Sequence, residues 1–133
     1  MIHNFCIDAG GDIIYFNTSN KPISIGLENP YSIKQVIGEV RILNKSICAS
    51  AGNRRKWGKF HHIIDPHTLK SPDSVIASWV VADTALIADA IATCLFLVPP
   101  EKLTSHFEFE YCVISSDNTI ARSRRFPVKF YTA

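Results

Sequence analysis

The run Thr84–Val98, T-A-L-I-A-D-A-I-A-T-C-L-F-L-V, constrains this chain more than any other stretch. Ala, Leu and Ile favour helix, Asp83 can cap the first turn by accepting a free backbone N–H, and Pro99 and Pro100 block continuation. One long buried helix is therefore predicted over 83–98. It is apolar on nearly every side, yet it carries Asp89 past its first turn. A carboxylate taken out of water is strongly unfavourable unless it is paired, so Asp89 needs a partner. Thr93 lies four residues on, which puts its hydroxyl on the same face one turn above. Two hard oxygens converging on one point suit a cation such as Mg²⁺. The commoner arrangement for a buried Asp is an Arg, a Lys or loop amides, and the spacing by itself does not decide between them.

With 133 residues and 47% hydrophobic content, the chain has enough apolar material for one domain with a core. Fourteen basic residues against twelve acidic give a net charge of +2, without the basic excess that marks nucleic-acid binding. Cys6, Cys48, Cys94 and Cys112 are far apart among apolar neighbours, which predicts reduced core thiols and a reducing cytosol. The N-terminus lacks the basic start and long apolar stretch of a secretion signal. The Thr84–Val98 run is too short and too acidic to span a bilayer, so a soluble chain with no membrane role is expected. Phe5–Asp8 already reads as a strand a few residues after Met1, which suggests that something upstream is missing.

Three further stretches carry candidate chemistry. Phe5–Ile7 and Ile13–Phe16 are β-prone and separated by A-G-G-D, so a hairpin is predicted with Gly10 and Gly11 at the bend. Glycines without Cβ atoms let a phosphate or a ring approach the main chain, and Asp8 and Asp12 flank them; an ordinary turn is the alternative. Ser46–Gly52 is rich in small residues and is predicted to be an approachable loop. Arg54, Arg55 and Lys56 follow as basic groups that can meet a phosphate or simply face solvent. Residues 60–68, F-H-H-I-I-D-P-H-T, hold three of the five histidines. Read as a strand, His62 and Ile64 share one face while His61, Ile63 and Asp65 share the other, until Pro66 breaks the ladder. A histidine there can serve as a base near neutral pH. Strands are also predicted over Ile23–Leu27, Val36–Leu43 and Ser74–Ala82, with a helical turn at Glu101–His106. A closing hairpin of Phe109–Ile114 and Thr119–Arg122 completes the reading.

Four stretches in this order, D-A-G-G-D-I at 8–13, S-I-C-A-S-A-G-N-R at 46–54, H-I-I-D-P-H-T at 62–68 and A-D-A-I-A-T at 88–93, resemble the ApbE family of flavin transferases. The resemblance implies a Mg²⁺-dependent FAD:protein FMN transferase. In that reaction FAD is cut at its pyrophosphate, FMN passes to a Thr or Ser of a target flavoprotein, and AMP leaves; some relatives hydrolyse FAD instead. By the same resemblance Asp89 and Thr93 ligate Mg²⁺ and His62 acts at the reacting centre. Asp65 and Thr68 then shape the flavin or phosphate pocket, and Gly10, Gly11, Asp12 and Ser50 line the FAD site. The chain departs from the family in three places. Asn53 stands where an aromatic residue is usual, His67 and Leu69 replace the Arg and Gly of D-P-R-T-G, and the N-terminal half that helps hold FAD has no counterpart. The alternative function is a non-catalytic flavin- or nucleotide-binding module, or an inactive truncated homologue.

The expected fold is α+β, a mixed and mainly antiparallel sheet packed on the long helix, forming a single domain over 1–133. The expected location is the cytoplasm for the chain as given, with export open for full-length relatives. A half-domain with an exposed sheet face also has reason to seek a partner, either a second copy or a separate chain supplying the N-terminal half.

Overall fold

The computed structural model describes residues 2–131. In chain order its elements are strands β1 (Asn4–Asp8), β2 (Ile13–Asn17), β3 (Ile23–Asn29), β4 (Ser32–Ile42), β5 (Lys45–Ala51), β6 (Lys56–Trp57), β7 (Phe60–His61) and β8 (Val75–Ala82). Helices α1 (Ala85–Cys94) and α2 (Pro100–Thr104) follow, and then β9 (Glu110–Ser115), β10 (Ile120–Arg122) and β11 (Val128–Phe130). Six strands pair in the order β1-β2-β5-β8-β9-β10, three in the order β11-β4-β3, and β6 pairs with β7. Every pairing between these strands is antiparallel. The architecture is the expected α+β.

The six-stranded sheet is sandwiched. Along β8, Ala77, Trp79 and Val81 point to one face and join Leu27, Val40, Ile42, Ile47, Cys112, Ile114 and Phe126 in a core against the three-stranded sheet. Val80 and Ala82 point the other way and meet Cys48, Val113, the helix residues Ala88, Ile91 and Ala92, and Leu95 at the helix end. A strand buried on both faces reads as a near-continuous apolar run, and V-I-A-S-W-V-V-A is one. Burying each large aliphatic side chain contributes about 1.5–3 kcal/mol, so the two layers hold the central strand from both sides.

The helix differs from the expectation. It runs ten residues, Ala85–Cys94, and Thr84 is its N-cap, with its hydroxyl accepting from Ile87 N at 3.3 Å. Asp83 instead forms an ion pair with Lys45. Past Cys94 the chain tightens into three-residue turns, Phe96 N to Thr93 O at 3.1 Å and Leu97 N to Cys94 O at 2.8 Å. A residue preceding proline is pushed out of the helical region, so the run stays apolar up to Pro99 without staying helical. Nor is the helix buried all round: Ala88, Ile91 and Ala92 are inside, Leu86 is 78% exposed, and Asp89 is exposed. Asp89 stays in water, so it carries no burial cost that a partner must offset.

Three smaller corrections follow from packing. Ser46–Ala51 belongs to a central strand of the sheet, and its small side chains let α1 lie close: Ser46 and Cys48 are fully buried and Ser50 nearly so. The histidine stretch is a strand only at Phe60–His61, although the inside–outside alternation persists through Ile64. Cys48 and Cys112 are core thiols, whereas Cys6 is exposed on β1. Strand β11, which pairs with β4, has no counterpart in the sequence reading. Among the described residues no helix is long and apolar enough to cross a membrane.

Candidate functional site

A cleft of about 810 Å³ opens between the β1–β2 turn, β3, the end of β5 and the side of α1 that carries Asp89 and Thr93. It brings together Gly10, Gly11, Asp12, Ser50, His62, Asp89 and Thr93, and Ala77 and Trp79 also line it. These residues come from well-separated parts of the chain, from Gly10 to Thr93. They meet because β2, β5 and β8 are neighbours in the sheet and α1 packs on β5 and β8.

The turn holds its shape from within. Ala9 N donates to Asp12 O at 2.9 Å, and Gly11 N donates to Asp8 Oδ1 at 2.9 Å. Gly10 has φ 77° and Gly11 has φ 106°, so a side chain at either would strain the backbone, while no atom stands near their missing Cβ atoms. The turn thus offers bare main chain to the cleft. Beneath it, burial pushes the Cys48 thiol up to about 12, with the Asp12 carboxylate and then Asp89 adding to the effect. Cys48 is therefore a protonated, inert thiol with both carboxylates in its neighbourhood.

Asp89 and Thr93 share a helix face, and Thr93 Oγ1 lies 3.2 Å from Ser50 Oγ. Among the described residues no three His, Cys, Asp or Glu side chains gather as a metal-holding group. The donors present, a carboxylate and a hydroxyl facing an open cleft, suit a hard cation that keeps most of its coordination for water and phosphate oxygens. They do not suit a soft metal that needs a closed protein cage.

His62 is exposed, and its ring lies 6.2 Å from the buried ring of His61 in an edge-on arrangement. Asp65 and Thr68 are not part of the cleft lining. Asp65 accepts from His67 N at 2.8 Å, and its backbone N–H donates to Lys70 O at 2.9 Å, closing a turn on itself. The His67 amide, helped by Thr68, holds the Asp65 carboxyl below its ordinary 3.8. Leu69 sits in that turn at φ 57°, a left-handed conformation that favours glycine.

Reading the sequence alone missed Glu28 and His61. Glu28 clasps Arg54 at the cleft edge, with Arg54 Nη2 2.7 Å from both carboxylate oxygens. Arg54 is thus paired, while Arg55 also lines the cleft. Asn53 donates from Nδ2 to Pro30 O at 2.7 Å and buries its Oδ1 without a partner. Only the turn signal E-N-P at 28–30 hinted that this segment would reach the site.

The family model described as the ApbE family matches residues 1–113. A FAD:protein FMN transferase of Haemophilus influenzae is 33% identical over 132 residues, covering 86% of this chain and 37% of that protein. One from Rhodobacter capsulatus is 26% identical over 106 residues, covering 75% of this chain and 20% of that protein. Among solved structures, the ApbE protein of Thermotoga maritima matches with a TM-score of 0.81 at 23% identity, covering 92% of this chain and 43% of that one. The flavin transferase ApbE from Vibrio cholerae matches with a TM-score of 0.71 at 23% identity, again over 43% of its chain. The chain spans less than half the length of each of these relatives.

Proposed function

The chain belongs to the ApbE family, and on that premise we propose that it carries the reacting half of a Mg²⁺-dependent FAD:protein FMN transferase. The donor is FAD, the acceptor is a Thr or Ser of a target flavoprotein, and AMP is released. The observation that carries this reading is the convergence of His62, Asp89, Thr93 and the Gly10–Gly11 turn on one cleft.

In the proposed reaction the acceptor oxygen bonds to the FMN phosphorus, the pyrophosphate bridge to that phosphorus breaks, and the bridging oxygen leaves with AMP. His62 receives the hydroxyl proton as the P–O bond forms, a general-base contribution of roughly 10²–10⁴-fold. The bare main chain of Gly10 and Gly11 accepts a close phosphate or ring. Asp89 and Thr93 would hold Mg²⁺, whose charge offsets the negative charge that builds on the phosphate oxygens. Asp65 and Thr68, which lie outside the cleft lining, are given no part in this step. The remaining contacts to FAD would come from a second segment, a second copy or a separate chain.

A non-catalytic flavin- or nucleotide-binding module is the second reading, and it draws its support from the 37% and 43% shares of the relatives' length. The two part in one assay with FAD, Mg²⁺ and a Thr-bearing acceptor domain. The transferase yields a covalently flavinylated acceptor and AMP, and a binding module retains FAD without either. Absence of both products, with and without an added N-terminal half, rejects the enzyme. His62→Asn is expected to slow transfer while FAD affinity stays nearly intact. A large loss of FAD binding in that variant would make His62 a ligand contact and not a base.

A further inference from the structure

We propose that His61 is a positioning residue, whose buried neutral ring fixes the backbone on either side of His62 and so aims that side chain into the cleft. This rests on the reading of His62 as the base.

His61 is 7% exposed, and its ring is bonded at both nitrogens. Its Nε2 lies 2.8 Å from Pro72 O, and a carbonyl can only accept, so Nε2 carries the hydrogen. Nδ1 is then a lone pair, and it accepts from Ile63 N at 3.3 Å. A single tautomer satisfies both partners; a ring protonated at both nitrogens would turn a donor against the Ile63 N–H. The backbone of His61 is held as well. Ser71 Oγ accepts from His61 N at 2.9 Å and donates to His61 O at 2.8 Å. Residue 62 is therefore flanked by an N–H and a C=O tied to Ser71 and by an N–H tied to the His61 ring.

The ring also has no room to shift. A Cβ on Gly52 would lie 3.3 Å from its Cδ2 and Nε2, and Phe96 packs edge-on with ring centroids 6.0 Å apart. Gly52 directly follows β5, which carries Ser50, and Phe96 lies just beyond α1, which carries Asp89 and Thr93. One imidazole thus sits at the meeting point of the segments that place His62, Ser50 and Thr93. A satisfied core histidine would need only the two ring bonds; contact with all three site-bearing segments is what marks a positioning role.

Two substitutions separate the ring's nitrogens. His61→Asn retains an acceptor near the Nδ1 position and drops the donor to Pro72, while His61→Gln retains the donor's reach and drops the acceptor beside Ile63. In the full chain, His61→Gln is expected to lower kcat for FMN transfer by about tenfold to a hundredfold, the cost of a misplaced reacting group. KM for FAD should stay within about twofold, and His61→Asn should retain most of kcat. Equal kcat in His61→Gln and wild type overturns the proposal, as does a loss in both variants that merely follows their melting temperatures. A wild-type chain that turns over no FAD, with and without an added N-terminal half, defeats only the functional reading, and nitrogen-15 NMR of the imidazoles then decides this one. His61 should appear as the neutral Nε2–H tautomer, and His61→Gln and Gly52→Ala should each shift the His62 ring signals. A cationic or Nδ1–H His61, or His62 signals unmoved in both variants, overturns it.

Discussion

The two faces of the six-stranded sheet do different work. Toward β3 and β4 the sheet presents Ile47, Trp79, Val81 and Ile114 to Leu27, Val40, Ile42 and Phe126, large side chains that remove much apolar area from water. Toward α1 it presents Ser46, Cys48, Ser50, Ser78, Val80 and Ala82, which are small, and half of which carry hydroxyls. Less area is buried per residue there, but the contacts are directional. Ser78 Oγ donates to Ala92 O at 2.7 Å, a carbonyl without its helical donor because Phe96 N turns to Thr93 O. Ser50 meets Thr93 one strand over. The first face supplies stability, and the second sets where the helix, and with it Asp89 and Thr93, comes to rest.

Substitutions on each side test this division of roles. Phe126→Ala removes a 3%-exposed ring from the inter-sheet core, and a loss of about 3–5 kcal/mol is expected. Urea unfolding measures it, and a loss under about 1 kcal/mol would deny that this face carries the stability. Ser78→Ala leaves the buried Ala92 carbonyl unpaired, with an expected cost of about 1–3 kcal/mol. Because the helix is freed to shift, Mg²⁺-dependent activity should fall with it; full activity at reduced stability would separate the hydroxyl from helix placement. Leu69→Gly lies outside both faces and serves as a control. Relief of the left-handed strain, less the added freedom of the unfolded chain, should stabilise by roughly 0.5–1 kcal/mol, and a lower melting temperature would show that Leu69 makes contacts worth more than its strain. Asp89→Ala is the smallest in stability, within about 0.5 kcal/mol because the side chain is exposed, yet it should abolish Mg²⁺-dependent transfer. Unchanged metal dependence there would reject Asp89 as the ligand.

Most strands were legible because their signals are local. The hairpin around Gly10 and Gly11 follows from turn chemistry, and V-I-A-S-W-V-V-A announces a strand covered on both sides. The helix end was not legible from apolar content, which persists through Leu97 and Val98 while the hydrogen-bond pattern changes underneath. Strand β5 reads as a loop in the sequence because small residues weaken β-propensity, and only the helix packed over it explains why they are small. Asp89 is instructive in another way. Its exposure removes the burial argument, while the motif around it still leads to the cleft. Glu28 and His61 depend on contacts with Arg54 and Pro72 that spacing along the chain does not encode.

The scattered origin of the cleft wall carries a folding consequence. Its parts come from the turn at 8–13, β3, the end of β5, His62 and the helix at 89–93, so little of it exists before the sheet register is set. Distant loops must close first, which makes assembly of the wall a late event in a chain of high contact order. A small molecule that fills the cleft therefore has almost no affinity for the unfolded ensemble. At a hundredfold excess over its Kd it raises the global unfolding free energy by about 2.7 kcal/mol. Amide protons buried around Val40, which exchange with solvent only when the whole molecule opens, should slow as much as those bordering the ligand itself.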